Sequence, residues 1–162
     1  MQLSETKMRP ATDADVEAIG ELWWEMMEFH RSLLPVPLTT TEEASAQQQK
    51  YLLERLRDED ALVLVVEVDG RVAGYLRASV GQYPSLYEPH PYGSIAELCV
   101  SVEYRRLGLG EALFRAAGAW FKSRAVGHIE VTTMTANPVS NAFWEKMGFA
   151  TFREVKQRRW ED

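Results

Sequence analysis

The stretch from Ala61 to Ser79 constrains the fold more than any other part of the chain. ALVLVVEV, Ala61 to Val68, is dense in β-branched residues, and RVAGYLRAS, Arg71 to Ser79, follows after Asp69-Gly70. Asp-Gly supplies the two positive-φ positions of a type I′ turn, whose twist matches that of two antiparallel strands. A hairpin this long and this apolar must be covered on its faces and paired at its edges by the rest of the chain.

The flanking sequence supplies that cover. Thr6 to Pro10 reads as a short edge strand. Asp13 stands at an N-cap position, and Val16, Ile19, Leu22, Trp23, Met26 and Leu33 recur at helical spacing. This helix is expected to end near Arg31, ahead of Pro35 and Pro37, because proline lacks the amide donor a helix needs. Thr40 with Glu43 has the form of a capping box, opening a second helix that runs to about Arg57. After the hairpin, GQYPSLYEPHPYGS, Gly81 to Ser94, is too rich in proline to stay regular; it reads as a functional loop or as a connection with aromatic anchors. Ile95 to Val102 is expected as a strand and Gly108 to Arg124 as a helix, with Leu109, Leu113, Ala117 and Trp120 on one face. His128 to Met134 follows as a strand. Asn137 to Met147 reads as a short helix with Pro138 in its first turn and Gly148 just past its end. Phe152 to Trp160 is expected to close the sheet. The order β-α-α-β-β-β-α-β-α-β predicts an α/β (α+β) fold, a mixed central sheet with helices on both faces. No repeat, low-complexity tract or Gly/Ser linker divides the 162 residues, so 1–162 is expected to be a single domain.

Charge and cysteine usage narrow the partners. A formal charge of −6 disfavours a binder of phosphate backbones, so no nucleic acid is expected, and KQRRW near the C-terminus is too short to change that. The same acidity suits a cationic amine and equally serves solubility. Cys99 is the only cysteine, and His30, His90 and His128 lack ligand spacing, so no metal is expected. MQLSETKMRP has no apolar signal core, and no apolar run approaches the ~18 residues of a membrane span. A cytoplasmic protein with no membrane association is the expectation.

Arg105-Arg106-Leu107-Gly108-Leu109-Gly110 lies where a strand feeds a helix. Such a junction gathers unpaired backbone N–H groups at the positive end of a helix dipole and favours a phosphate. Glycine lets the anion approach the backbone, and the arginines can add charge-assisted contacts. Two better-known phosphate loops are excluded, since Glu111 and Ala112 replace the Lys-Ser/Thr of a P-loop and Leu113 the third glycine of the dinucleotide fingerprint. On spacing alone the segment is equally a helix start with a glycine turn.

Context adds a resemblance. ELCVSVEYRRLGLGEALFRAAGAWF resembles the acetyl-CoA motif of the GNAT superfamily of N-acetyltransferases, with its R/Q-x-x-G-x-G/A core. NPVSNAFWEKMGF, Asn137 to Phe149, is similar to that family's N-x-x-A-x-x-x-Y-x-x-x-G-F helix, and MRPATDADVEAI to its usual opening. The resemblance runs from Lys7 onward. It implies acetyl-CoA as cosubstrate and a sheet splayed at the cofactor strand. Val100 and Val102 would offer backbone groups to the pantetheine arm. Arg105, Arg106, Leu107, Gly108, Leu109 and Gly110 would hold the pyrophosphate, and Asn137 would bond the arm, a role compatible with an N-cap.

The implied reaction is direct attack of a primary amine of a small molecule or peptide on the thioester in a ternary complex, with a Val100 amide as oxyanion donor. Glu97 is the candidate catalytic base, or else half of a structural salt bridge. Strand alternation groups it with Ile95, Cys99 and Ser101, opposite Val100 and Val102, unless a bulge resets the parity. Glu28 and His30 are further substrate-facing candidates. Trp144 stands where the family often has a tyrosine acid, and indole is no acid near neutral pH. Tyr83, Tyr87 and Tyr92 are alternative acids, and the missing tyrosine leaves open a non-catalytic acyl-CoA-binding module. Cys99 reads as a small buried residue rather than a nucleophile. The loops His30 to Thr40 and Gly81 to Ser94 would frame the amine, and a homodimer is compatible with the resemblance.

Overall fold

The computed structural model describes residues 5–33, 41–86, 88, 90–158 and 160. Thr40, Tyr87 and most of the loop between the first two helices lie outside the described residues. The chain divides into two units, one up to Thr132 and one from Thr133 onward, described separately below.

The first unit is built on a five-stranded sheet in sequence order: β1 (Thr6–Pro10), β2 (Ala61–Val68), β3 (Arg71–Gly81), β4 (Tyr92–Val100) and β5 (Ile129–Val131). Strands β1 to β4 run antiparallel, and β5 joins β4 in parallel. The hairpin β2–β3 turns where its sequence predicts, with Asp69 and Gly70 both at positive φ. Strand β5 is shorter than the expected His128 to Met134, because only Ile129 to Val131 find ladder partners on β4.

Helices α1 (Val16–Leu33) and α2 (Glu42–Leu56) cover one face. Ile19, Leu22 and Leu52 pack there with Val63, Val65, Tyr75 and Cys99. Helix α1 outruns its expected end by two residues. The cap of α2 is Thr41, whose hydroxyl accepts the Ala44 amide. Before α1, Thr12 rather than Asp13 caps a short 3₁₀ turn, Asp13–Asp15. Asp15 is buried there and takes both terminal nitrogens of Arg9, which also reaches Glu67. That cluster ties β1 and β2 to the start of α1.

Helix α3 (Leu109–Ser123) packs against β2, β3 and β4. Leu109, Leu113, Ala117 and Phe121 form its buried stripe; Phe121, one residue beyond the expected Trp120, completes the i, i+4 progression. Alternation along β2 and β3 turns Leu64, Val66, Leu76 and Ala78 away from the α1/α2 side, and all four are buried. At roughly 1.5–3 kcal/mol for each large apolar side chain removed from water, these two faces account for why the sheet holds together.

In the second unit, α4 (Pro138–Lys146) begins at Asn137, whose Oδ1 accepts the Ser140 amide. It ends in a Schellman motif: Gly148 has positive φ, and the amides of Gly148 and Phe149 reach the carbonyls of Glu145 and Trp144. The expected final strand, Phe152 to Trp160, is not formed by the described residues, which are exposed and pair with no strand. The apolar spacing of Phe152, Val155 and Trp160 allows a strand, but a strand also needs an open edge that local sequence does not show.

Candidate active site

Strand β4 changes character along its length. Gly93, Ser94 and Ile95 are paired to β3 on one side and to β5 on the other. Beyond Ile95 the β5 ladder stops, while pairing to β3 continues through Val100. The amide of Ser101 reaches the Ala73 carbonyl on β3. Backbone groups alternate in direction along a strand, so the amide and carbonyl of Val100 point to the opposite, open edge. The sheet is therefore open on that side of β4 at Val100.

Two side chains occupy that edge. Arg105 Nε donates to the Val100 carbonyl at 3.0 Å, and the Val102 amide donates to Glu25 Oε1 at 2.8 Å. Arg105 Nη2 also approaches Glu25 Oε1 at 3.4 Å. Val100 ends the strand and Val102 opens a 3₁₀ turn, Val102–Tyr104, one residue beyond it. The expected strand to Val102 therefore ends two residues early.

The strand then enters α3 through a curled loop. Arg106 has φ 63°, and Gly108, the N-cap, has φ 80°. Positive φ at two positions so close together turns successive amides toward one side, and α3 adds the unpaired N–H groups of its first turn. A Cβ built on Gly108 meets nothing within 4 Å, so the loop is open to solvent. Leu109 is buried and anchors the helix start, while Arg106 is exposed and has no ion pair among the described residues. Val100, Val102 and Arg105 to Gly110 thus run in sequence from the end of β4 through the loop into the first turn of α3. Asn137 belongs to the second unit, where it is buried and caps α4.

Glu97 lies on the α1/α2 side of the sheet. The register passes from Arg77↔Glu97 to Ala78↔Ile95, leaving Ala96 as a bulge. Ile95 therefore faces α3 with Ala78, whereas Glu97 faces the other way with Cys99, which corrects the grouping expected from simple alternation. The bulge lies before Glu97, so Glu97 and Val100 still point to opposite faces. Three donors meet the carboxylate: Tyr75 Oη at 3.0 Å and Arg77 Nε at 3.2 Å on Oε2, and Arg77 Nη2 at 3.0 Å on Oε1. Burial opposes the charge on Arg77, but the hydrogen bonds and charge of Glu97 outweigh it and raise the guanidinium pKa. Burial, reinforced by Glu97, pushes the Tyr75 phenol well above its ordinary range. These partners sit some twenty residues from Glu97 in sequence, and no local signal marks them.

The other candidates are placed as follows. Cys99 is buried, its thiol directed at the Leu22 carbonyl, and burial pushes its pKa up to about 12, so it offers no thiolate nucleophile. Glu28 pairs with Arg31 along α1, and burial lowers the pKa of His30. Tyr83 stacks on Tyr92 with ring centroids 4.2 Å apart, close to His128, which fits the anchor reading of that loop. Trp144 is buried, in edge contact with Phe143 and Phe149. Among the described residues, no cluster of His, Cys, Asp and Glu could hold a metal ion, and no helix is long and apolar enough to cross a membrane.

Comparison with known proteins agrees with this geometry. The model of the acetyltransferase (GNAT) family matches residues 17–149. An N-alpha-acetyltransferase of Sulfurisphaera tokodaii is 29% identical over 117 residues, covering 67% of this chain and 66% of its own length. The tetramutant of a Bacillus halodurans protein superposes with a TM-score of 0.86 at 20% identity, covering 95% of this chain and 99% of that one. An aminoglycoside antibiotic 6'-N-acetyltransferase from Acinetobacter haemolyticus gives 0.74 at 24%, covering 96% and 99%. With more than half of its length matched, including the open strand and the glycine loop, the chain belongs to the GNAT family of N-acetyltransferases.

Proposed function

We propose that this protein transfers the acetyl group of acetyl-CoA to a primary amine of a small molecule or peptide by direct attack in a ternary complex. The observation that carries the reading is the open edge of β4 at Val100, continuous with the curled, glycine-bounded start of α3. Acetyl-CoA has matching parts: an amide-bearing pantetheine arm to extend a strand edge, and a pyrophosphate to meet converging amides. Val100 and Val102 take the arm, and Arg105, Arg106, Leu107, Gly108, Leu109 and Gly110 take the pyrophosphate. Asn137 is the remaining cofactor candidate. The family match at 17–149 spans both units, which supports reading residues 1–162 as one acetyltransferase domain, and the cytoplasm is its proposed location.

The chemistry follows from the amine. An alkylammonium of pKa ~10.4 has no lone pair, and deprotonating it near pH 7 costs roughly 4–5 kcal/mol. Glu97 serves as base through a bound water, since Arg77 and Tyr75 already donate to both of its oxygens. The amine nitrogen bonds to the thioester carbon, and the Val100 N–H stabilises the oxyanion. The carbon–sulfur bond then breaks, the CoA thiolate leaves with its electron pair, and the excess proton on the new amide nitrogen passes to that thiolate or to solvent. A thiol of pKa ~8.5 is a good enough leaving group that no tyrosine acid is required at Trp144.

A second reading, an acyl-CoA-binding module without turnover, is favoured by that same tryptophan. Acetyl-CoA binding by calorimetry, followed by an amine screen monitored through CoA release, separates the two. Binding with release for at least one amine supports catalysis; binding without release for any class of amine supports the module. No binding at all overturns both.

A further inference from the structure

The geometry points to Glu25 as a latch on the cofactor strand, closed in the free protein and displaced by the pantetheine arm. The inference rests on the proposed cofactor site, and its observations are separate from those that define that site. Glu25 projects from the middle of α1, 77 residues away in sequence from the amide it meets. Its carboxylate accepts the Val102 N–H, a group on the path assigned to the pantetheine arm. Its partner Arg105 holds the carbonyl of Val100. The Val100 carbonyl and the Val102 amide are therefore both satisfied from within the chain, one by a cation and one by an anion.

Backbone amides and carbonyls left unpaired at a strand exit favour any available partner. Here the partners are long, flexible side chains, each about one-third exposed, so they can swing into solvent without unpacking the core. Extended pantetheine offers its own amide carbonyl and N–H to the same two positions. Cofactor and latch compete for one set of hydrogen bonds, and the affinity for acetyl-CoA is reduced by the fraction of chains in which the latch is closed.

Displacement has a second consequence. Once Val102 is taken by the cofactor, the Glu25 carboxylate is released from the strand end it now caps. Before displacement, that charge is committed to Val102 and Arg105. The latch therefore frees the Glu25 carboxylate only in chains that have bound acetyl-CoA.

The test is calorimetric titration of the full chain with acetyl-CoA for wild type, Glu25→Ala and Glu25→Gln. Removing the latch in Glu25→Ala is expected to tighten binding about three- to tenfold, the net scale of one ordinary hydrogen bond at a partly exposed site. Glu25→Gln, which keeps an acceptor oxygen but loses the charge, is expected to fall between the two. A residue that merely braced α1 against the strand would weaken cofactor binding when truncated, so the sign of the change is diagnostic. Equal or weaker binding by both variants overturns the latch. If Glu25→Ala fails to fold, Glu25→Gln alone decides, by the same criterion. Wild-type protein that does not bind acetyl-CoA overturns the cofactor site and the latch with it, whereas wild-type binding without tightening in the variants overturns the latch alone.

Discussion

The two halves of β4 differ in what surrounds the same kind of backbone. At Gly93 to Ile95 every edge is occupied, by β3 on one side and β5 on the other. The fit is close: a Cβ on Gly93 would fall 2.5 Å from the Phe121 ring of α3. At Val100 one edge has no strand, and flexible side chains fill in. The first half is a fully paired structural element, and the second, made of the same material, is the proposed binding surface. What separates the two halves is where a ladder stops rather than an unusual residue.

The largest expected effect lies at the open end. Gly110→Asp should reduce acetyl-CoA affinity by more than about 100-fold, through a carboxylate placed against the pyrophosphate. Its melting temperature should change little, because α3 is anchored through Leu109 and Leu113. Unchanged affinity by calorimetry would break the comparison, since the open half would then not be the binding half.

Next comes Glu97→Gln, at the join between the halves. Turnover is expected to fall about 100-fold and most steeply at low pH, where removing the amine proton is hardest. The same variant leaves Arg77 without a counter-charge and should cost about 2–3 kcal/mol in chemical denaturation. Adding Arg77→Met should recover stability without recovering turnover. If turnover returns with stability, Glu97 is only a brace for the sheet.

A smaller effect is expected at the closed end. Gly93→Ala should cost about 1–3 kcal/mol by overpacking against Phe121 while leaving acetyl-CoA affinity within about twofold. A large loss of affinity in a still-folded variant would show that the two halves are not independent.

The smallest effect belongs to neither half. Hydrogen bonds from Arg9 hold the folded-state pKa of Asp15 below its ordinary 3.8. The unfolded chain therefore binds the proton more readily, and the stabilisation is present above about pH 4 and lost as pH falls below it. Denaturation between pH 5 and 3 should show this loss, and Asp15→Asn should remove it. A variant as acid-sensitive as wild type would shift the cause to other carboxylates.

Much of this architecture was legible in the sequence because its signals are local. Asp69-Gly70 marks a hairpin whose first strand, Ala61 to Val68, has the expected limits, and Gly148 marks the end of α4. The glycines and arginines before α3 marked the loop for the same reason. What was not legible is set by partners distant in sequence. The bulge at Ala96 exists because β3 and β4 differ by one residue between their ladders, and neither strand reveals that alone. Tyr75 and Arg77 reach Glu97, and Glu25 reaches Val102, only once the sheet is assembled. Phe152 to Trp160 failed in the opposite sense, since its pattern suits a strand yet no partner edge meets the described residues.

Arg106 has a left-handed backbone that a glycine would adopt at no steric cost. For arginine that conformation costs about 1–2 kcal/mol. On the proposed cofactor site, the chain gives up some robustness to keep a permanent positive charge at the rim of the pyrophosphate loop. Arg106→Gly would thus be selected in opposite directions by heat and by scarce cofactor: a sturdier protein that saturates only at higher acetyl-CoA. An acetyltransferase adjusted at this position would convert thermal tolerance into sensitivity to the cell's acetyl supply, or the reverse, without altering its sheet.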